Sequence, residues 1–96
     1  MQILFLEEAQ YELDDAVLYY EKELVGLGGE FVTEVVNALD RVARYPNAWH
    51  PYSKKTRRCQ TRRFPYAVIY QVRKDQILVI AIAHLHRKPE YWRNRK

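Results

Sequence analysis

The sequence predicts an α+β fold in which a helical hairpin packs on a mainly antiparallel four-stranded sheet, in the order β-α-α-β-β-β. Three observations carry that expectation. The apolar run from Ile77 up to His84 has no polar alternation, so it reads as a strand covered on both faces in the middle of a sheet. The short polar connection Arg73-Lys74-Asp75-Gln76 joins it to the alternating segment Tyr66 to Val72, and the two read as a hairpin. Between Glu7 and Arg44, apolar residues recur at helical spacing in two segments separated by the only glycines of the chain.

In order, Gln2 to Leu6 is a short apolar run and reads as a first strand. Glu7 and Glu8 follow it, acids suited to the positive N-terminal end of a helix. From Glu7 to about Val25, Ala9, Leu13, Ala16, Val17, Tyr20 and Leu24 share one arc of roughly 100° and form the buried side. Tyr11, Leu18 and Val25 recur every seven residues on the opposite side. They are either a second stripe for a partner or scattered surface apolar residues.

Gly26, Gly28 and Gly29 bracket Leu27 as a tight connection, and a second helix is expected from near Glu30 to Arg44. Its stripe is Phe31, Val35, Ala38, Leu39 and Val42, widened by Val32, Val36 and Ala43. Pro46 stops it. Asn47 to Thr56 has no clean period and reads as a loop, with Trp49 anchoring it to the body. Arg57 to Phe64 reads as a strand with arginines on both faces, broken by Phe64-Pro65. In the next strand Tyr66, Val68, Tyr70 and Val72 share one face, and Ala67, Ile69, Gln71 and Arg73 the other.

The 96 residues are expected to form one domain, 1–96, with a modest core. The single cysteine, Cys59, excludes an internal disulfide. Without a signal peptide or a membrane-length apolar run, a cytoplasmic protein free of the membrane is expected. The net charge of +4 hides an asymmetry: residues 1–40 hold ten acids and one base, residues 41–96 two acids and fifteen bases. No acid stands between Arg41 and Lys74, while Lys54, Lys55, Arg57, Arg58, Arg62 and Arg63 crowd into ten residues. Such a block attracts nucleic acid or an acidic partner; the plainer reading is a solvated edge protected from sheet-to-sheet pairing.

The strand ends gather Arg63, Arg73, His84, His86, Arg87 and Tyr91, side chains that bind phosphate or move protons. His84 and His86 would share a strand face, but no Cys or carboxylate stands at a matching spacing, so no metal is expected. No cofactor motif, Gly-rich phosphate loop or serine nucleophile is present. Each residue also has a structural reading: His84 as a backbone-bonding strand cap, Trp92 as packing for the C-terminal tail.

Phe64 to Asp75, FPYAVIYQVRKD, followed by Ile77 to Trp92, ILVIAIAHLHRKPEYW, resembles the RelE/ParE superfamily of toxins from type II toxin–antitoxin systems, often labelled plasmid stabilisation proteins. The resemblance extends over nearly the whole chain and is most specific at Phe64, Pro65, Tyr66, Tyr70, His84, Arg87, Pro89, Tyr91 and Trp92. It implies the β-α-α-β-β-β fold, growth inhibition and neutralisation by a cognate antitoxin. It also implies one of two targets, ribosome-bound mRNA that is cleaved or DNA gyrase that is poisoned. RNA-cleaving relatives usually carry an arginine where this chain has Ala67. His86 stands where some of them keep a catalytic histidine, so the cleavage reading would use His86, Arg87, Arg63 and Tyr91. Lys54, Lys55, Arg57, Arg58, Arg62, Arg73 and His84 are the candidate nucleic-acid or partner contacts, and Tyr11, Leu18 and Val25 the candidate antitoxin contacts. Whether the chain is an enzyme is left open. The reading from another class is a nontoxic nucleic-acid-binding or adaptor protein on the same fold.

Overall fold

A strand that is apolar at every position must be covered on both faces, and this chain does so with two different materials. The computed structural model describes residues 1–96 as β1 (Gln2–Phe5), α1 (Glu7–Glu23), α2 (Leu27–Arg44), β2 (His50–Pro51), β3 (Arg57–Gln60), β4 (Tyr66–Arg73) and β5 (Gln76–His84). The strands form one sheet in the order β1-β5-β4-β3-β2, with β1 parallel to β5 and every other pair antiparallel. Both helices cover one face: Ala9, Ala16, Phe31, Val35, Ala38 and Val42 pack on Cys59, Val68, Tyr70, Ile77, Val79 and Ile82. The other face, with Ala67, Ile69, Ile80, Ala81 and Ala83, is covered by Trp92 and Tyr91 from the C-terminal tail and by Tyr52.

A β-bulge makes the two faces compatible with the sequence. The register passes from Ile69 opposite Ala81 to Tyr70 opposite Val79, leaving Ile80 as the extra residue. Ile80 and Ala81 therefore both pack under the tail, and the alternation restarts so that Ile82 faces the helices. His84, two residues on, meets Tyr66 at 5.0 Å between ring centroids. On the helix side, Tyr70 donates a 2.7 Å hydrogen bond to the Pro46 carbonyl, and burial pushes its phenol up to about 12.

The α+β class and the helical hairpin are as expected, with six corrections. The sheet has five strands rather than four, because His50 and Pro51 pair with Arg58 and Arg57. Two residues are too few to show a period, and a proline that cannot donate is tolerated at an edge. The strand expected from Arg57 to Phe64 ends at Gln60. Thr61 turns the chain there, its N–H donating to the Tyr66 carbonyl and its hydroxyl placed 3.0 Å from the Phe64 and Tyr66 carbonyls. The second helix starts at Leu27, so Gly28 and Gly29 lie in its first turn instead of a loop. Gly28 is where the helices touch, since a Cβ there would stand 2.7 Å from the Val17 carbonyl oxygen. The Glu21 carboxylate accepts from the Gly26 and Gly28 N–H groups and caps that helix, with Gly26 at φ +89°.

The first helix ends at Glu23, leaving Leu24 and Val25 exposed in the connection. Val32 and Val36 are exposed too, so the apolar stripe of the second helix is narrower than its sequence suggests. His86, finally, lies beyond β5 and so is not on the strand with His84, although the two rings meet edge to face with centroids 5.0 Å apart. Trp49 does anchor its loop, packing on the helix-side core and donating to the Arg41 carbonyl at 3.0 Å. No helix is long and apolar enough to cross a membrane.

Candidate functional site

At the end of β5 the outer edge of the sheet loses its neighbour. The last bond from the first strand's side is Leu6 N–H to the Val79 carbonyl, after which the chain turns into α1. Unpaired edge groups must find other partners. Glu12, reaching down from α1, accepts the Ile82 N–H at 3.1 Å, and Arg95 from the tail donates to the Ile80 carbonyl at 3.1 Å. The same carboxylate accepts the Tyr91 hydroxyl at 2.6 Å and two guanidinium N–H groups of Arg95 at 2.9 and 3.0 Å. Glu12 and Arg95 are only 15% and 17% exposed, so this is a largely desolvated, bidentate ion pair.

This network absorbs much of the chemistry expected at the strand end. Burial, and then the bond to the Glu12 carboxylate, raise the Tyr91 phenol well above its ordinary range, so it remains a neutral donor. The same carboxylate raises the Arg95 guanidinium. Arg87 lies over the Tyr91 ring, 3.8 Å from its centroid. His84 Nδ1 accepts the His86 N–H at 3.1 Å, which is the strand-capping role open to His84. The His86 side chain is exposed in the turn that follows. Arg63 sits in the turn between β3 and β4, at φ +71°, and forms an ion pair with Glu30 at 2.6 Å.

Two cavities border this region. One, of about 30 Å³, is bounded by Arg58, Ala67, His84, Arg87, Tyr91, Trp92 and Tyr52, the last two with ring centroids 5.5 Å apart. The other, of about 290 Å³, lies on the helix side of the strand end and is lined by Glu12, Asp15, Tyr19, Tyr66, His84 and Arg87.

Of the remaining basic candidates, Lys54, Lys55, Arg57 and Arg73 come together along two adjoining clefts of about 360 and 450 Å³. Arg58 stands apart, its guanidinium 5.0 Å from the Tyr52 centroid, and Arg62 is exposed in the β3–β4 turn and lines neither cleft. Tyr11 and Leu18 are each 60% exposed on α1, and Val25 is 89% exposed beyond its end. No three side chains of metal-ligating type converge.

Glu12, Arg95, Gln71 and Arg93 did not emerge from the sequence. For Glu12 a signal existed: it falls three residues after Ala9 and four before Ala16, inside the buried arc, where a carboxylate needs a partner. The tail residues carried no period, and nothing local marked them.

The model of the ParE toxin of type II toxin–antitoxin systems, parDE, matches residues 3–89. Among solved structures, a chain described as the chromosomal ParDE toxin–antitoxin system from P. aeruginosa is similar with a TM-score of 0.78 at 17% identity, covering 90% of this chain and 97% of that one. No curated protein matches. With a match spanning all but the first two and last seven residues, the chain belongs to the ParE toxin family of type II toxin–antitoxin systems.

Proposed function

We propose that this chain is a growth-arresting toxin that inhibits DNA gyrase and does not cleave RNA. The observation that carries this reading is the filled strand end. A cavity of about 30 Å³ has room for water and none for a nucleotide. Ala67 supplies no cation at its base, Tyr91 is committed to Glu12, and Arg87 is stacked on Tyr91. In the neighbouring 290 Å³ cleft Glu12 is already neutralised by Arg95 and Asp15 stands against Arg87, so the lining gathers no excess positive charge for a scissile phosphate. Nucleic-acid machinery is then reached through surface contacts, without acid–base chemistry.

A cognate antitoxin belongs to the same reading. Tyr11 and Leu18 offer it apolar contacts on α1, Val25 another just beyond, and the basic half of the chain meets its acids.

Controlled expression in bacteria, scored separately for gyrase-dependent DNA breaks and for mRNA cleavage, tests the reading. DNA breaks are expected, and His86→Ala should remain fully toxic. If His86 instead moves a proton during RNA cleavage, that substitution costs about 100-fold or more, and the gyrase reading is lost. Co-expression of the candidate antitoxin should relieve the arrest for the parent chain and fail to do so for Leu18→Asp.

A further inference from the structure

Beginning on the tail-covered side of the sheet at Gln71 and Ile80 and reaching Arg57 and Val72, two adjoining clefts share Ser53, Lys54, Lys55, Thr56 and Gln71 and run together as one trough. Its cations come from three separated segments: Lys54 and Lys55 from the β2–β3 connection, Arg57 and Arg73 from the sheet, and Arg93 and Lys96 from the tail. The only acid side chain lining it, Glu90, is paired with Arg93 at 3.2 Å. Lys54, Lys55, Arg57 and Arg73 have no ion-pair partner.

The arginines are held in place by neutral groups that leave their charge uncompensated. Arg57 donates to the Trp49 carbonyl at 2.8 Å, and Arg73 donates twice to Gln71 Oε1, at 3.1 and 2.6 Å. Gln71 is itself buried, at 6% exposure, and its amide donates to the Lys96 backbone oxygen, which ties tail to sheet across the floor. The lysines project from a turn closed by the Tyr52 and Ser53 N–H groups on the Thr56 carbonyl and by a 2.6 Å hydroxyl pair, Ser53 with buried Thr56. A preformed, concave, uncompensated cationic surface selects a ligand with several negative charges.

We infer that this trough binds the phosphodiester backbone of DNA. Its apolar lining is confined to Ile80, Trp92, Val72 and Pro51, too little to anchor a peptide, whereas hydroxyls and guanidinium forks suit phosphate oxygens. The acids of the molecule lie mainly in residues 1–40, so the field also orients the chain on a polyanion with the trough inward. The inference deepens the gyrase reading by giving the toxin its own hold on DNA. It is read out without gyrase or growth arrest, so either can fail alone.

The full-length protein is titrated against a fluorescently labelled DNA duplex by anisotropy over a range of salt. Lys54→Gln and Lys55→Gln, both at exposed positions, are each expected to weaken binding and to reduce the slope of log K against log salt by about 0.9 for each phosphate left unneutralised. Arg62→Gln, outside the trough, should leave the slope unchanged. The inference is overturned if the lysine variants keep the parental slope, or if Arg62→Gln lowers it equally. It is also overturned if a poly-glutamate peptide displaces the duplex at comparable charge concentration, which would make the trough a site for acidic protein.

Discussion

The β5 end and the basic trough are both rich in residues that suggest function, yet they treat charge in opposite ways. At the strand end, Glu12 gathers Arg95, Tyr91 and the Ile82 N–H into one desolvated network. Along the trough, Arg57 and Arg73 are steadied by a carbonyl and an amide, and Lys54 and Lys55 meet no acid. The first arrangement uses its polar groups to close a sheet edge, and the second leaves them to a ligand. What separates a structural cluster from a binding surface is therefore the partner of each charge rather than the residue types present.

The largest effect expected from this contrast is at Glu12. Glu12→Ala leaves Arg95 without its counter-ion and the Tyr91 hydroxyl and Ile82 N–H without an acceptor, and should cost about 3 to 5 kcal/mol in urea unfolding. A loss below about 1 kcal/mol, the size of an exposed pair, would erase the distinction.

Tyr91 gives a smaller effect with a pH signature. Tyr91→Phe removes a hydrogen bond to a charged acceptor, about 1.5 to 3 kcal/mol, while keeping the ring under Arg87. In the parent chain the folded state holds the phenolic proton more tightly than the unfolded state, whose tyrosine titrates near about 10. As pH rises past that value the unfolded chain releases its proton first, so the native state binds more protons and stability falls. The contribution is whole below about pH 10 and is lost as pH climbs through the raised value, so the variant should show a flatter alkaline arm in stability against pH. Equal slopes for parent and variant would place Tyr91 outside the network.

The smallest stability effect should be in the trough. Lys54→Gln together with Lys55→Gln is expected to leave the unfolding free energy within about 0.5 kcal/mol of the parent, because neither side chain is ion-paired. A decrease comparable to that of Tyr91→Phe would mean that these lysines are structural after all.

Much of the fold is legible in the sequence where the signal is local. The run from Ile77, the hairpin turn at Lys74 and Asp75, the stripe of Phe31, Val35, Ala38 and Val42, and the anchoring of Trp49 all follow from spacing and composition within a few residues. His50 and Pro51 read as loop because their strand exists only through pairing with Arg57 and Arg58. Arg62 and Arg63 read as strand because alternation continues past Gln60, and it takes the Thr61 clamp to turn them out of the sheet.

The sequence by itself determined the α+β class, the helical hairpin, the strand buried on both faces and the division of charge between the two halves. Hydrophobic periodicity and net charge are properties of neighbouring residues, and burial acts on them directly. Only the tertiary structure decided that Ile80 is an extra residue, and that Glu12 closes a sheet edge with Arg95 from 83 positions away. It alone decided that lysines of one connection, arginines of the sheet and two cations of the tail line a common trough. The physical reason is the same in each case. The free energy of a charge depends on its partner and its exposure, and both are fixed when distant segments are brought together.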